Sequence, residues 1–98
     1  MTSSHYENDR AYREHIILTI GEGKKIGEVI VDRGHKNGAE RHVITDNAII
    51  LIYNYRTGRL VTKLVARPSQ IRRYFRDGKA PKWLLDIAYK HTQAGYNI

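Results

Sequence analysis

Residues 48–53 read Ala-Ile-Ile-Leu-Ile-Tyr, an almost unbroken apolar run closed by Asp46-Asn47 on one side and Arg56-Thr57-Gly58 on the other. Its length suits a strand and is far too short to span a membrane. The run does not alternate between polar and apolar positions, so it predicts a strand buried on both faces and therefore internal to a sheet. An internal strand needs a neighbour on each side, and the short polar turns around this one leave little but antiparallel pairing.

The flanking sequence supplies those neighbours. Asn37-Gly38 is a strong two-residue hairpin signal, because both residues tolerate the positive φ of a type I′ turn. Strands are predicted over Glu28–Arg33, Ala39–Thr45, Ala48–Tyr53 and Arg59–Ala66, forming a four-stranded antiparallel meander. Residues 1–7 read as a loose lead-in. Asn8 or Asp9 can cap a helix that runs to Gly21 or Gly23, with Tyr12, Ile16 and Ile20 as its apolar stripe. Arg67-Pro68 stops the sheet, since proline cannot donate to a ladder, and a short helix over Pro68–Phe75 follows. Pro81 opens a last helix to about Ala94, capped by Gly95. Its stripe of Trp83, Leu84, Ile87, Ala88 and His91 is expected in the core. The expected class is α+β: an N-terminal helix, a four-stranded antiparallel meander and two C-terminal helices in one domain over 1–98.

Strand alternation then brings chemistry together. A two-residue Asn37-Gly38 turn sets His35 opposite Glu40 and Arg33 opposite His42, with all four side chains on one face. Asp46-Asn47 as a second two-residue turn sets Ile44 opposite Ile49, His42 opposite Leu51 and Glu40 opposite Tyr53. Pairing Asn54 with Arg59 sets Tyr53 opposite Leu60 and Leu51 opposite Thr62. One sheet face is thus expected to carry His35, Glu40, His42, Tyr53 and Thr62. Two imidazoles, a carboxylate and a guanidinium are suited to proton transfer beside a phosphate. A solvated polar hairpin tip is the plain alternative. His35, Glu40 and His42 could also approach zinc or manganese, but their spacing matches no strong motif and a fourth ligand is lacking, so no metal or other cofactor is expected.

The charge is unevenly placed. Residues 1–55 hold seven Lys/Arg and eight Asp/Glu, whereas residues 56–98 hold ten and two. A surface this one-sided attracts polyanions, most often nucleic acid, and an acidic protein is the other candidate. Arg67, Gln70, Arg72, Arg73 and Arg76 cluster on the short helix that follows the sheet, where helix-end amides and planar guanidinium groups suit a phosphate. Tyr53, Tyr55 and Tyr74 could stack on bases. The chain has no cysteine and begins Met1-Thr2-Ser3-Ser4-His5 without an apolar signal segment, so a reducing, cytoplasmic setting is expected.

The leading helix, the four-strand meander and the late basic cluster, with His35, Glu40, His42, Thr62 and Arg67, resemble the Barnase–EndoU–colicin–RelE superfamily of small ribonuclease toxins over about residues 8–76. The segments Gly34-His35-Lys36-Asn37-Gly38 and Ala66-Arg67-Pro68-Ser69-Gln70-Ile71 also look like small proteins of Gram-positive bacteria and their phages. The resemblance implies a metal-independent endoribonuclease of toxin or effector type. His35 and His42 would share acid–base work, Glu40 would orient one of them, and Arg67 would bind the scissile phosphate. Tyr53, Thr62, Gln70, Arg72, Arg73 and Arg76 would hold RNA, and an acidic inhibitor protein would be a natural partner. The alternatives are a non-catalytic RNA- or DNA-binding module and a phage or plasmid adaptor for an acidic protein.

Overall fold

The structure, a computed structural model, describes residues 10–32, 34 and 38–96, with side chains over 13–32, 34 and 38–91. Helix α1 spans Arg10–Ile20. Strands β1 (Lys25–Val31), β2 (Glu40–Thr45), β3 (Ile49–Asn54) and β4 (Leu60–Val65) follow, then helices α2 (Pro68–Arg76) and α3 (Trp83–Tyr96). The strands form one antiparallel sheet in the order β1-β2-β3-β4, with the apolar run internal, as its composition requires. Helix α3 continues through Gly95 rather than stopping before it. Among the described residues, no helix is long and apolar enough to cross a membrane.

Register is where sequence and structure part. The β2–β3 turn uses three residues, Asp46, Asn47 and Ala48, with Ala48 left-handed at φ 59°. Thr45 holds it: its carbonyl accepts from the Ala48 N–H and its Oγ1 accepts from the Ile49 N–H, both at 3.1 Å. One extra turn residue moves β3 by one position, so Ile44 pairs with Ile50 and His42 with Ile52. A one-residue slip turns every side chain of a strand over. Tyr53 therefore pairs with Arg41, on the face opposite His42, and the Arg41 guanidinium lies 5.4 Å from its ring centre. A bulge at Val61 shifts β4 in turn: Tyr53 still pairs with Leu60, but Ile52 meets Thr62 and Leu51 meets Lys63. The two shifts cancel for β4, and Thr62 returns to the His42 face.

Both sheet faces are covered. On one, Ile16 and Ile17 of α1 pack on Ile49, Leu51 and Val65. On the other, Ile71 and Tyr74 of α2 and Leu84 and Ala88 of α3 pack on Ile44, Ile50 and Ile52. Ile20 is exposed rather than part of the α1 stripe, and Trp83 is 50% exposed rather than core. The α2–α3 connector crosses β1 so closely that a Cβ on Gly27 would stand 2.4 Å from the Lys79 carbonyl oxygen.

Candidate functional site

β1 ends at Val31, opposite Glu40, and Val29 rather than Arg33 is the partner of His42. Asp32 ends the strand locally, since its Oδ1 accepts from the Gly34 N–H at 2.9 Å in an Asx turn. The β1–β2 register differs from the one a two-residue Asn37-Gly38 turn sets, in which His35 is opposite Glu40. Arg33 and His35 lie outside the described residues.

Glu40 and His42 do come together. They sit two apart on β2, so both point to the same face, and His42 Nε2 lies 3.1 Å from Glu40 Oε1. A carboxylate only accepts, so Nε2 carries the proton, and a neutral ring keeps its basic lone pair on Nδ1. The carboxylate thereby fixes the tautomer and orientation of the ring. His42 is 5% exposed.

That small exposed area opens into a cleft of about 320 Å³ between the β1–β2 side of the sheet and α2. Val29, Val31 and His42 line it from the sheet, Gln70, Arg73 and Tyr74 from α2, and Asp77 from the cap that ends α2; Lys79 reaches it from the connector that Gly27 admits. Residues 70, 73, 74 and 77 share one side of the helix by its 3.6-residue repeat. Gln70 Nε2 donates to the Tyr74 hydroxyl at 2.9 Å, which leaves the phenol's own proton as what that hydroxyl can offer a ligand. Arg73 and Lys79 supply positive charge, with Asp77 against them.

The remaining expected site residues lie elsewhere. Arg67 precedes α2 at the Ile49–Val65 end of the sheet, away from Glu40. Thr62 is two strands from His42, about 10 Å by strand spacing, with Ile52 between them. On edge strand β4 it also borders a depression that reaches α1, lined with Arg13, Glu14, Ile17 and Lys63. That depression is no better a site, because Lys63 is tied to Glu22 at 2.9 Å. Arg72 and Arg76 occupy the side of α2 away from the cleft, and Arg72 donates to the Tyr89 hydroxyl at 2.6 Å. Tyr55 is exposed, whereas Tyr74 is buried. Glu28, on β1 and outside the cleft, has its carboxyl held below the usual range by a hydrogen bond from Lys25. Among the described residues, no three His, Asp or Glu side chains gather as metal ligands.

Tyr74, Asp77 and Lys79 gave no acid–base or cleft signal in the sequence. Only the path of α2 across the sheet brings them beside His42. No family model, no curated protein and no solved structure matches this chain.

Proposed function

We propose that the protein is a nucleic-acid-binding domain, RNA being the preferred polymer, and that it grips the polymer with α2, α3 and the segment joining them. One observation carries the reading: residues 67–90 hold seven Lys/Arg against two Asp/Glu, and Arg72, Arg73 and Arg76 are all exposed on α2. Neutralising phosphates releases counterions, so affinity should fall steeply as salt rises. The test is a binding titration of the purified chain with RNA and DNA across salt concentrations. Reversing Arg72, Arg73 and Arg76 to Glu should weaken binding and flatten the salt slope. Affinity that ignores salt would instead favour an acidic protein partner. A cytoplasmic setting accords with the cysteine-free composition.

The Glu40–His42 dyad favours a second reading, a metal-independent endoribonuclease of toxin or effector type. In it, His42 takes the proton of a 2′-hydroxyl, whose oxygen attacks the adjacent phosphorus. Arg73 and Lys79 stabilise the charge that develops on the phosphate, and the 5′-oxygen leaves with a proton returned from the cleft, where Tyr74 holds a phenolic one. His42→Ala should then cut RNA cleavage by roughly 10²–10⁴-fold, the usual worth of a positioned acid or base. The product would be a 2′,3′-cyclic phosphate, cleavage would persist in chelator, and DNA would bind intact. No cleavage of any RNA offered would leave the binding domain alone standing.

A further inference from the structure

Resting on the binding reading, we propose that the partner is single-stranded, and that exposed aromatic side chains on α2 and α3 stack on its bases. Phe75 is 46% exposed, Trp83 50% and Tyr89 41%, and all three belong to the helix pair that carries the excess of positive charge. The exposed apolar side chains of the four strands, by contrast, are aliphatic: Ile26, Ile30, Leu60 and Val61.

The aromatics are interleaved with cations. Arg72, Phe75 and Arg76 stand at i, i+3 and i+4, one stripe of α2. Trp83, Asp86 and Tyr89 stand three apart on α3 and form a ridge on its solvent side, with Lys90 beside Tyr89 and Lys82 before Trp83. Asp86 is the one acid in the ridge. The two helices join where Arg72 donates to the Tyr89 hydroxyl at 2.6 Å, which sets a guanidinium against that ring's edge. Rings next to fixed cations match a single strand, which offers a charged backbone and unpaired base faces side by side. A duplex offers the same phosphates but keeps its base faces stacked away. An acidic protein would answer the charge and leave the ring faces without a matching flat partner.

Trp83 is the only tryptophan in the chain, so its emission reports the contact directly. The full-length chain is titrated at low salt with a short single-stranded RNA and with the duplex of the same sequence, following Trp83 emission and, separately, the anisotropy of a labelled strand. The single strand should quench Trp83 and bind more tightly than the duplex. Stacking one base contributes enough that Trp83→Ala should weaken single-strand binding by about 5- to 150-fold while duplex affinity stays within about twofold. Trp83→Phe should restore most of the loss, and Phe75→Ala should weaken binding with the Trp83 signal still available. Circular dichroism checks that each variant folds. Saturable binding with Trp83 emission unchanged, or a duplex bound as tightly as the strand, overturns stacking and leaves the binding reading in place. No binding of either polymer overturns both.

Discussion

Gly27→Ala tests the contact that brings Lys79 to the cleft. Gly27 sits on β1 opposite Ile44, facing the α2–α3 layer, and an added Cβ would lie 2.4 Å from the Lys79 carbonyl oxygen. Real Cβ contacts do not fall below 3.0 Å, so strand and connector must part by roughly 0.6 Å. The obstacle is backbone, so no rotamer change relieves it. Against this, alanine stiffens the unfolded chain relative to glycine, which favours the variant by about 0.4–1 kcal/mol. Overpacking of this kind costs about 1–3 kcal/mol. The clash should win, with a net destabilisation of about 1–2 kcal/mol. Urea unfolding should show a lower midpoint with the slope unchanged, and in a chain of this size the melting temperature should fall by about 4–8 °C per kcal/mol. Because the same shift moves Lys79, RNA cleavage, if the chain has it, should drop further than the unfolded fraction explains. A Gly27→Ala protein as stable as the parent would refute the close approach, and with it the placing of Lys79 in the cleft.

Asn47→Ala removes the amide that donates to the Ile20 and Gly21 carbonyls at 3.0 and 3.1 Å, leaving the last turn of α1 without those partners. It should cost about 1–2 kcal/mol in urea unfolding, with nucleic-acid affinity unchanged. In the endoribonuclease reading, Tyr53→Phe and Thr62→Val should leave cleavage within a few-fold of the parent where His42→Ala abolishes most of it, since one lies on the other sheet face and the other about 10 Å away. A large loss at Tyr53 would restore the register that a two-residue β2–β3 turn predicts.

The meander was legible because each strand signal was flanked by turn residues, and the internal position of β3 followed from its unbroken apolar character. That same character hid its phase. A strand apolar on both faces packs equally well in either register, so only the length of the Asp46–Ala48 turn decides it, and an alanine in the left-handed region is a poor signal for a three-residue turn. The early end of β1 did carry a cue: Asp32-Arg33-Gly34 is itself an Asx-turn sequence, and it competes with the stronger Asn37-Gly38 signal. The Glu40–His42 pair survived both errors because it depends only on two-residue spacing within one strand. The α2 side of the cleft could not be read, since helical periodicity groups Gln70, Arg73 and Tyr74 without saying which strand they cross.

The two ends of the sheet do different work. At the Thr45–Ile49 end, one turn anchors other parts of the fold through polar contacts. The Asn47 side chain caps α1, and the Asn47 main-chain carbonyl accepts from Nε2–H of buried His91 on α3 at 2.8 Å. Asp46 Oδ1 accepts from the Lys24 N–H at 2.7 Å, joining the lead into β1. Gly23 permits that approach, since a Cβ there would stand 2.4 Å from the same oxygen. At the Glu40–Asn54 end, among the described residues, no such turn ties the layers together. There the side of α2 bearing Gln70, Arg73 and Asp77 turns polar, and a cleft remains over His42. Anchoring the layers at one end allows the other to stay open and hold an imidazole–carboxylate pair without serving as the main point of attachment. Substitutions around Asn47 should therefore move the unfolding midpoint and spare the cleft. Glu40→Gln, which keeps the side chain's size while removing its charge, should leave stability within about 1 kcal/mol, since the amide oxygen can still accept from Nε2–H. It should instead loosen the choice of tautomer, since a Gln amide can accept from Nε2–H or donate to Nε2, and the ring nitrogen shifts at fixed pH report which nitrogen carries the proton. A Glu40→Gln protein whose His42 ring nitrogens are unchanged would show that the carboxylate does not govern the imidazole.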